Sequence, residues 1–293
     1  MSGELRLIGT GPGVLEQMTL AAQEAICSAD IVIGYTLYLD LLQPLLPATV
    51  EVIPSPIGQE VQRAQKAIEL ALAGNTVAMV SSGDIGIYGM AGPVFELLAE
   101  QGWQAGGTPN VRVFPGVSAV QAAASLLGAP LMHDFCTISL SDLLTPWEVI
   151  QKRVRAAAEG DFIVAFYNPR SRKRQSQLVW ALETLATHRP PTTPVALIKN
   201  AYREGQVIEV TTLAQFDPTR VNMLSLVLVG NSQTRLLGNA MFTPRGYAKK
   251  VQLGLDNNLS ALVDRLAEGE PADEISDKMI NEEIAAVRNA KAG

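Results

Sequence analysis

The chain has 293 residues, of which 47% are hydrophobic and 18% are charged, and its formal net charge is −6. This amount of apolar material excludes a globally disordered or low-complexity chain. A domain that mainly neutralises nucleic-acid phosphates is normally basic, so the acidic balance disfavours nucleic acid as a partner.

Short segments rich in Val and Ile alternate along the chain with segments of helical periodicity. The predicted strands end in Gly, Pro, Asn or Ser and span 5–8, 31–35, 50–53, 77–81, 111–114, 135–140, 162–167, 195–199 and 224–229. The predicted helices span 20–28, 59–73, 93–101, 119–127 and 172–186. Apolar strands that alternate with helices are typical of α/β proteins with mostly parallel sheets.

Two helix starts and two domain boundaries can be predicted from local patterns. Capping boxes at 118–121 and 145–148 predict helix starts, the second with Pro146 at the first helical position. Residues 128–134 break the helical pattern, so we predict an N-terminal α/β domain at 1–127 and a second α/β domain at 128–250. The charged segment 251–293 is predicted to be a peripheral helical or flexible tail.

The first residues and the two cysteines indicate a cytoplasmic, soluble protein. Residues 1–6 lack the basic stretch and long apolar stretch of a signal peptide, and no run of ~18 uncharged apolar residues predicts a membrane span. Cys27 and Cys136 are too far apart for a CxxC metal site and lie in apolar segments, where unreactive buried thiols are expected. We therefore expect no membrane partner and no protein-bound metal.

Three loops that contain glycine follow predicted strands, at 9–13, 81–89 and 115–118. In open α/β sheets, ligands bind beyond the carboxyl ends of the strands. Glycine allows backbone to approach a ligand closely and to adopt positive φ. One such loop alone is usually a simple turn, whereas three on one sheet predict a site for an extended small molecule.

The first loop is a poor match for dinucleotide binding. Gly9 and Gly11 begin a GxGxxG pattern, but Val14 takes its last position and Pro12 lies inside the loop. The second predicted strand does not end in an acid for a ribose, and no P-loop sequence follows a strand. These features favour a ligand without phosphates, such as an adenosine that bears an amino acid.

The three loops together resemble those of the tetrapyrrole methylases, which use S-adenosylmethionine. The segments 81–91, 166–171 and 229–232 resemble one branch of that family, which methylates C17 of precorrin-3B or cobalt-factor III, with contraction of the macrocycle, in cobalamin biosynthesis. The more specific signal is Tyr-Asn-Pro-Arg-Ser at 167–171. The resemblance covers roughly residues 4–247 and implies two α/β domains of the class III methyltransferase fold, a cofactor in the interdomain cleft, and a homodimer.

The resemblance also implies which residues contact S-adenosylmethionine. They come from both domains and are Gly11, Pro12, Gly13, Gly83, Asp84, Ile87, Ser118, Ala119, Tyr167, Asn168 and Ala201. One departure is Ile85, which follows Asp84 where many family members have proline. Larger relatives carry iron–sulfur extensions, but two cysteines cannot supply a four-thiolate cluster, so the segment 251–293 is not such an extension.

A tetrapyrrole substrate carries many carboxylates, so an acidic protein needs a local positive patch to bind it. A basic run with polar neighbours is the predicted patch: Asn168, Arg170, Ser171, Arg172, Lys173 and Arg174. Four cations at the start of the predicted helix 172–186 are unfavourable next to the helix dipole, and a bound anion would compensate them. The alternatives are a solvated basic turn and a carboxylate-docking site with bidentate arginine contacts.

Methyl transfer requires mainly that donor and acceptor be positioned in a dry cleft, so we assign no catalytic base. Ring contraction involves proton movements, and Asp84, Tyr88, His133 and Asp142 are the candidates for them. A structural role is favoured over catalysis for His133, and a loop-shaping role is favoured over that of a base for Asp84. Tyr88 could reach the cleft or simply pack.

Three functions compete for this sequence. A corrinoid C-methyltransferase is the favoured one, and another tetrapyrrole remains possible as substrate. A methyltransferase of the same fold that acts on RNA or protein is the second, although an aromatic share of 5% leaves few platforms for base stacking. A non-catalytic adenosyl-binding module is the third, and the motif at 167–171 speaks against it.

Overall fold

The computed structural model describes residues 3–247, so the predicted tail at 251–293 lies outside the described residues. All the elements below belong to one unit, Met1–Pro244. Among the described helices, none combines the length and the apolar composition that crossing a bilayer requires.

The first half of the chain forms a five-stranded sheet in which every strand pair is parallel. The strands are β1 (Glu4–Gly9), β2 (Ile31–Tyr35), β3 (Glu51–Ser55), β4 (Thr76–Ser81) and β5 (Asn110–Phe114), in the order β3-β2-β4-β1-β5. The helices are α1 (Leu20–Cys27), α2 (Thr36–Leu42), α3 (Glu60–Leu72) and α4 (Ala91–Glu100).

Helices cover both faces of the first sheet, which explains why its central strands are almost wholly apolar. On one face, Leu5 and Leu7 of β1 pack in a cluster with α3 and α4. On the other face, Ile8 packs in a cluster with α1 and α2. Successive residues of a strand point to opposite faces, so a short apolar run supplies both clusters.

The second half of the chain forms another five-stranded sheet, in the order β10-β9-β11-β8-β7. Its strands are β7 (Phe135–Ser139), β8 (Ile163–Tyr167), β9 (Pro194–Lys199), β10 (Val207–Thr212) and β11 (Ser225–Val229). A small third sheet holds β6 (Gly128–Ala129), β12 (Arg235–Leu237) and β13 (Ala240–Phe242). The helices are α5 (Ala119–Leu127), α6 (Trp147–Glu159) and α7 (Ser176–Ala186).

The predicted α/β class with mostly parallel sheets is confirmed, and the parallel pattern ends in the second sheet. There, β7 and β8 are parallel, whereas the pairs β8–β11, β11–β9 and β9–β10 are antiparallel. Helices again cover both faces, with α6 and α7 on one and α5 on the other. A strand buried on both faces is apolar in either orientation, so its composition does not reveal the difference.

Helix α5 packs on the second sheet although the predicted division at 127/128 places it in the first domain. Its residues Val120, Ala123 and Leu127 share a cluster with Ile198 of β9 and Leu228 of β11. Core packing therefore groups α5 with the second sheet. The division itself stays a prediction.

Three local predictions of structure were wrong, and so was the burial expected for Cys27, which is exposed. The helix predicted at 172–186 begins at Ser176, and the basic residues before it form a turn in which the Ser171 N–H donates to the Arg174 carbonyl at 2.9 Å. The dipole argument for an anion there fails, since no helix begins at residue 172. Neither capping box forms: no side chain caps α5 or α6, and Pro146 precedes the first residue of α6.

Candidate functional site

A cleft of about 210 Å³, open to solvent, lies where the carboxyl ends of strands from both sheets meet. Loops after β1, β4 and β5 line it from the first sheet, and residues at the ends of β8, β9 and β11 line it from the second. Among the predicted cofactor residues, the lining includes Pro12, Gly83, Asp84, Ile87, Ser118, Ala119, Tyr167, Asn168 and Ala201. The predicted residues Gly11 and Gly13 belong to the same first loop but do not line the cleft.

Glycine backbone forms the wall of the cleft that the first sheet provides. The N–H of Gly11 donates to the carbonyl of Gly83 at 3.1 Å, and the N–H of Gly83 donates back at 2.7 Å. A Cβ atom at Gly116 would overlap the Gly83 carbonyl oxygen and would lie 2.7 Å from the Gly9 carbonyl carbon. These three turns therefore pack backbone against backbone, which only glycine permits.

Gly83 needs to be glycine for a different reason. Its φ is +72°, which favours glycine, yet a Cβ there would meet no protein atom closer than 3.7 Å. The space that a side chain would take is thus left open beside Ser118 and Ala119. Such a gap lets a ligand approach the backbone directly.

The Asp84 carboxylate fastens the loop after β4 to the loop after β5. One oxygen accepts a hydrogen bond from the Gly86 N–H at 2.8 Å, and the other accepts one from the Gly116 N–H at 3.0 Å. Because both oxygens already accept from backbone, the geometry favours the loop-shaping role of Asp84 over that of a general base.

Tyr167, at the end of β8, joins the second sheet to the start of α5. Its hydroxyl lies 2.6 Å from the Ser118 hydroxyl and accepts a hydrogen bond from the Val120 N–H at 2.9 Å. It thereby satisfies an N–H in the first turn of α5, which the predicted capping box would have satisfied differently. Burial raises the pKa of Tyr167, and its hydrogen bonds to Ser118 and Val120 oppose that rise.

Tyr88 spans the cleft from the loop after β4 to β7. Its hydroxyl donates to the Thr137 carbonyl at 2.9 Å, and its ring centroid lies 5.0 Å from that of Tyr167. It also lines the cleft and is 51% exposed. From the sequence, Tyr88 was expected either to reach the cleft or to pack. In the structure it does both, since it lines the cleft and packs against Tyr167.

Backbone in the left-handed region surrounds the cleft. Apart from glycines, positive φ occurs at Tyr88 (+53°), Asn168 (+48°), Asn200 (+47°) and Tyr202 (+60°) in or beside it, and elsewhere in residues 3–247 only at Asp161. Such conformations cost about 1–3 kcal/mol each and collect at ligand sites. The strain supports this cleft as the functional site.

Two arginines of the predicted substrate patch, Arg170 and Arg174, form hydrogen bonds within the protein. Arg174 is only 8% exposed, and its guanidinium donates to the Asn168 carbonyl at 2.8 Å and to the Ser141 hydroxyl at 3.3 Å. Arg170 donates to the Pro218 carbonyl at 3.0 Å. The geometry favours structural roles for both arginines, and neither lines the cleft.

Four other predicted residues have contacts that bear on their roles. Ser171 accepts from the Arg174 N–H within the turn, whereas Arg172 is exposed. Asp142 accepts from Gln177 at 2.8 Å and lies 4.0 Å from Arg174. His133 is half-buried before β7 and does not line the cleft. The substrate-binding role of Arg172 and the catalytic candidacies stay predictions.

The prediction missed several polar residues of the cleft, and two of them, Tyr38 and Arg203, have long side chains. Tyr38 lies in α2, directly after β2, and Arg203 lies in the loop between β9 and β10. Both follow the carboxyl end of a strand, which is the signal that could have found them. A stretch of small and apolar residues near the start of β11 also lines the cleft, namely Met223, Leu224, Ser225 and Leu226.

Comparison with known proteins shows which family the chain resembles. Residues 4–217 match the family model described as "Tetrapyrrole (Corrin/Porphyrin) Methylases". A protein of Priestia megaterium named "Cobalt-factor III methyltransferase" is 50% identical over 86% of this chain, which spans 47% of that relative. A protein of Salmonella typhimurium named "Probable cobalt-factor III C(17)-methyltransferase" is 51% identical over 83% of this chain, which spans 99% of it.

A solved structure agrees with these relatives. The structure titled "Crystal structure of the methyltransferase CobJ" superposes with a TM-score of 0.77 at 38% sequence identity. The match covers 83% of this chain and 100% of that one. The two relatives and the solved structure are thus all named as methyltransferases.

Proposed function

Because the chain belongs to the tetrapyrrole (corrin/porphyrin) methylase family, we propose that it transfers a methyl group from S-adenosylmethionine to C17 of cobalt-factor III, with contraction of the macrocycle. The observation that carries the proposal is the two-walled cleft, in which the predicted cofactor residues of both sheets line one space. The names of the relatives at 50% and 51% identity favour the cobalt-containing macrocycle over precorrin-3B.

The residues of the cleft fit S-adenosylmethionine, which supplies an activated methyl group when bound. The open space beside Gly83 admits a ligand to the backbone, and small residues, Ala119 and Ala201, leave room on both walls. Gly11, Pro12, Gly13, Gly83, Asp84, Ile87, Ser118, Ala119, Tyr167, Asn168 and Ala201 remain the proposed cofactor set.

The main contribution of the chain to this reaction is to hold the loops around the cleft in fixed positions. Asp84 and Tyr167 each hold two loops together through hydrogen bonds, so the cleft is shaped before a ligand enters. Ile87, Ile198 and Leu226 give it apolar wall, which limits water near the reacting atoms. Raised above its usual range, the pKa of Tyr167 keeps its hydroxyl protonated near neutral pH.

Two further properties belong to the same proposal. The resemblance to the family implies a homodimer, and the proposal places the enzyme in the cytoplasm. The proposal includes no protein-bound metal: the macrocycle brings its own cobalt as part of the substrate.

Incubation of the purified protein with S-adenosylmethionine and either cobalt-factor III or precorrin-3B tests the function. We expect one added methyl group by mass and a changed visible spectrum with the cobalt-containing macrocycle. A variant with a filled cleft, Ala201→Trp, should lose the product, whereas Arg153→Gln on the outer face of α6 should keep it. Absence of product from both macrocycles, with methylated RNA or protein instead, would overturn the proposal.

A further inference from the structure

Arg203 reaches from the second sheet's side of the cleft to the first. It lies in the turn after β9, where its N–H donates to the Asn200 carbonyl at 2.9 Å. Its side-chain stem covers Gly13, since a Cβ there would lie 2.5 Å from the Arg203 Cδ and 3.2 Å from a methyl of Leu41. With its stem held in this way, Arg203 lines the cleft together with Tyr38.

The guanidinium of Arg203 lacks an acceptor among the described residues. No ion pair or side-chain hydrogen bond joins it to residues 3–247, and its buried Nε has no partner there. Arg174 and Arg189 differ in this respect, because their guanidinium groups donate to backbone carbonyls. The donors of its terminal nitrogens are therefore available to a ligand in the open cleft.

A second buried arginine lies near the same tyrosine. Arg63 on α3 is 5% exposed, and its one ion-pair partner within residues 3–247 is Glu60, at a long 3.8 Å. Its buried Nε also lacks a hydrogen-bond partner there. Burial raises the pKa of Tyr38 while Arg203 and Arg63 lower it, so both positive charges act on the Tyr38 hydroxyl.

We propose that Arg203 and Tyr38, which both line the cleft, form a subsite for a carboxylate side chain of the tetrapyrrole, with Arg203 as the direct contact. This inference rests on the proposed function and names a place for substrate binding outside the basic turn at 170–174. An arginine fork beside a tyrosine hydroxyl supplies the donors that a carboxylate accepts. The local excess of positive charge offsets the acidity of the whole chain.

S-adenosylmethionine also carries a carboxylate, and the sheet order argues for the substrate as its source. The proposed cofactor loops of the first sheet follow β1, β4 and β5, whereas Tyr38 follows β2. In the order β3-β2-β4-β1-β5, β2 lies beyond β4, on the side away from β1 and β5. The Tyr38 end of the subsite is thus displaced to one side of the cofactor loops, whereas the stem of Arg203 lies on Gly13 of the first loop.

The test compares Arg203→Gln with Arg153→Gln, which removes a positive charge from the exposed face of α6. Uroporphyrin III, with acetates and propionates, and coproporphyrin III, which keeps the propionates only, serve as soluble probes by absorbance titration. We expect Arg203→Gln to weaken uroporphyrin binding about tenfold or more, and an equal loss for coproporphyrin would identify the bound side chain as a propionate, a smaller loss as an acetate. Arg153→Gln should change neither, and S-adenosylmethionine affinity should stay within about twofold in both variants.

Milder variants keep the test independent of folding. Arg203→Lys retains the charge but not the fork, and Tyr38→Phe retains the ring, so each should weaken uroporphyrin binding by less than Arg203→Gln does. Unchanged uroporphyrin affinity in Arg203→Gln, or a loss confined to S-adenosylmethionine, overturns the subsite. These titrations need no turnover: a wild-type protein that binds uroporphyrin through Arg203 but methylates neither macrocycle would overturn the proposed function and leave the subsite standing.

Discussion

The two walls of the cleft are built in opposite ways. The first sheet contributes backbone: Gly9, Gly83 and Gly116 bring three turns so close that a side chain has no room at two of them. The second sheet contributes side chains: Tyr167 and Arg174 hold strand exits in place through hydrogen bonds to other loops. The first wall is shaped by close packing of glycine backbone, which Asp84 fastens, and the second wall is shaped by hydrogen bonds between side chains and other loops.

This difference decides how each wall responds to change. Backbone that is packed against backbone cannot shift to accommodate a new atom, so an added methyl group strains three loops together. A lost side-chain hydrogen bond leaves its partner unsatisfied but keeps the wall in place. We therefore expect substitutions in the first wall to lower the free energy of unfolding more than substitutions in the second wall do.

The largest effect is expected for Gly116→Ala. The new Cβ would overlap the Gly83 carbonyl oxygen and press on Gly9, so we expect a loss of about 3 kcal/mol or more in the free energy of unfolding. Affinity for S-adenosylmethionine should fall with it, because the loops that bound the cleft must separate. Chemical denaturation and calorimetric titration measure the two quantities.

Gly92→Ala is the matched control for that change. Gly92 is an exposed residue of α4, and a Cβ there would meet nothing within 4 Å. Gly92 lies in the first turn of α4 and precedes Pro93, which opposes the helix preference of alanine, so we expect a change of less than about 1 kcal/mol in the free energy of unfolding. Equal stability of the Gly116 and Gly92 variants would contradict the backbone-packed wall.

Arg174→Met should have the next largest effect. Methionine keeps an apolar stem but removes the hydrogen bond to the Asn168 carbonyl, so we expect a loss of about 2 kcal/mol in the free energy of unfolding. Lys173→Met, at the exposed neighbouring position, should change it by less than about 0.5 kcal/mol. If Arg174→Met instead keeps full stability and loses only tetrapyrrole affinity, Arg174 contacts the substrate, as the sequence analysis predicted.

The first wall was predictable from the sequence because its signal is local. Each glycine loop directly follows an apolar run, and the carboxyl-end rule then places the loops together. The family assignment is confirmed, and it followed from the same loops and from the Tyr-Asn-Pro-Arg-Ser motif at 167–171. Which glycines need open space and which need close packing was not visible, since that depends on atoms of other loops.

The second wall depends on contacts between distant parts of the chain, and there the sequence predicted less. Ser118 was predicted to cap its own helix, but its hydroxyl bonds Tyr167, which is 49 residues away. The four cations after Asn168 were predicted to begin a helix, yet the backbone turns there because Arg174 folds back on Asn168. Arg203 belongs to no motif, and its position after the carboxyl end of β9 is the one signal for it in the sequence.

Tyr167→Phe should have a moderate effect, since it removes one hydroxyl from the contact between the walls. The Ser118 hydroxyl and the Val120 N–H would both lose their partner, and we expect a loss of about 1–2 kcal/mol in the free energy of unfolding. Tyr88 is 51% exposed, so Tyr88→Phe should lower the free energy of unfolding by less than about 0.5 kcal/mol. A larger cost for Tyr88→Phe would mean that the bridge to Thr137, and not Tyr167, joins the walls.

The smallest effect is expected at alkaline pH, from a thiol behind the second wall. Cys136 in β7 is half-buried, and burial raises its pKa from an ordinary value of 9.0 to about 11, with Arg189 opposing the rise. The folded state therefore holds the thiol proton more tightly than the unfolded state does. Its contribution to stability is complete below about pH 9 and is lost as the pH rises from there to about 11.

Urea unfolding of the wild type and Cys136→Ala across that range measures this contribution. The free energy of unfolding of the wild type minus that of Cys136→Ala should fall as the pH rises, whatever its sign at neutral pH, because alanine has no proton to lose. Thiol alkylation at mildly alkaline pH supplies a second readout: the exposed Cys27 should react first, and Cys136 should stay protected in the folded protein. A difference that does not change with pH, together with equal labelling of both cysteines, would show that β7 opens to solvent and that the second wall is looser than its hydrogen bonds indicate.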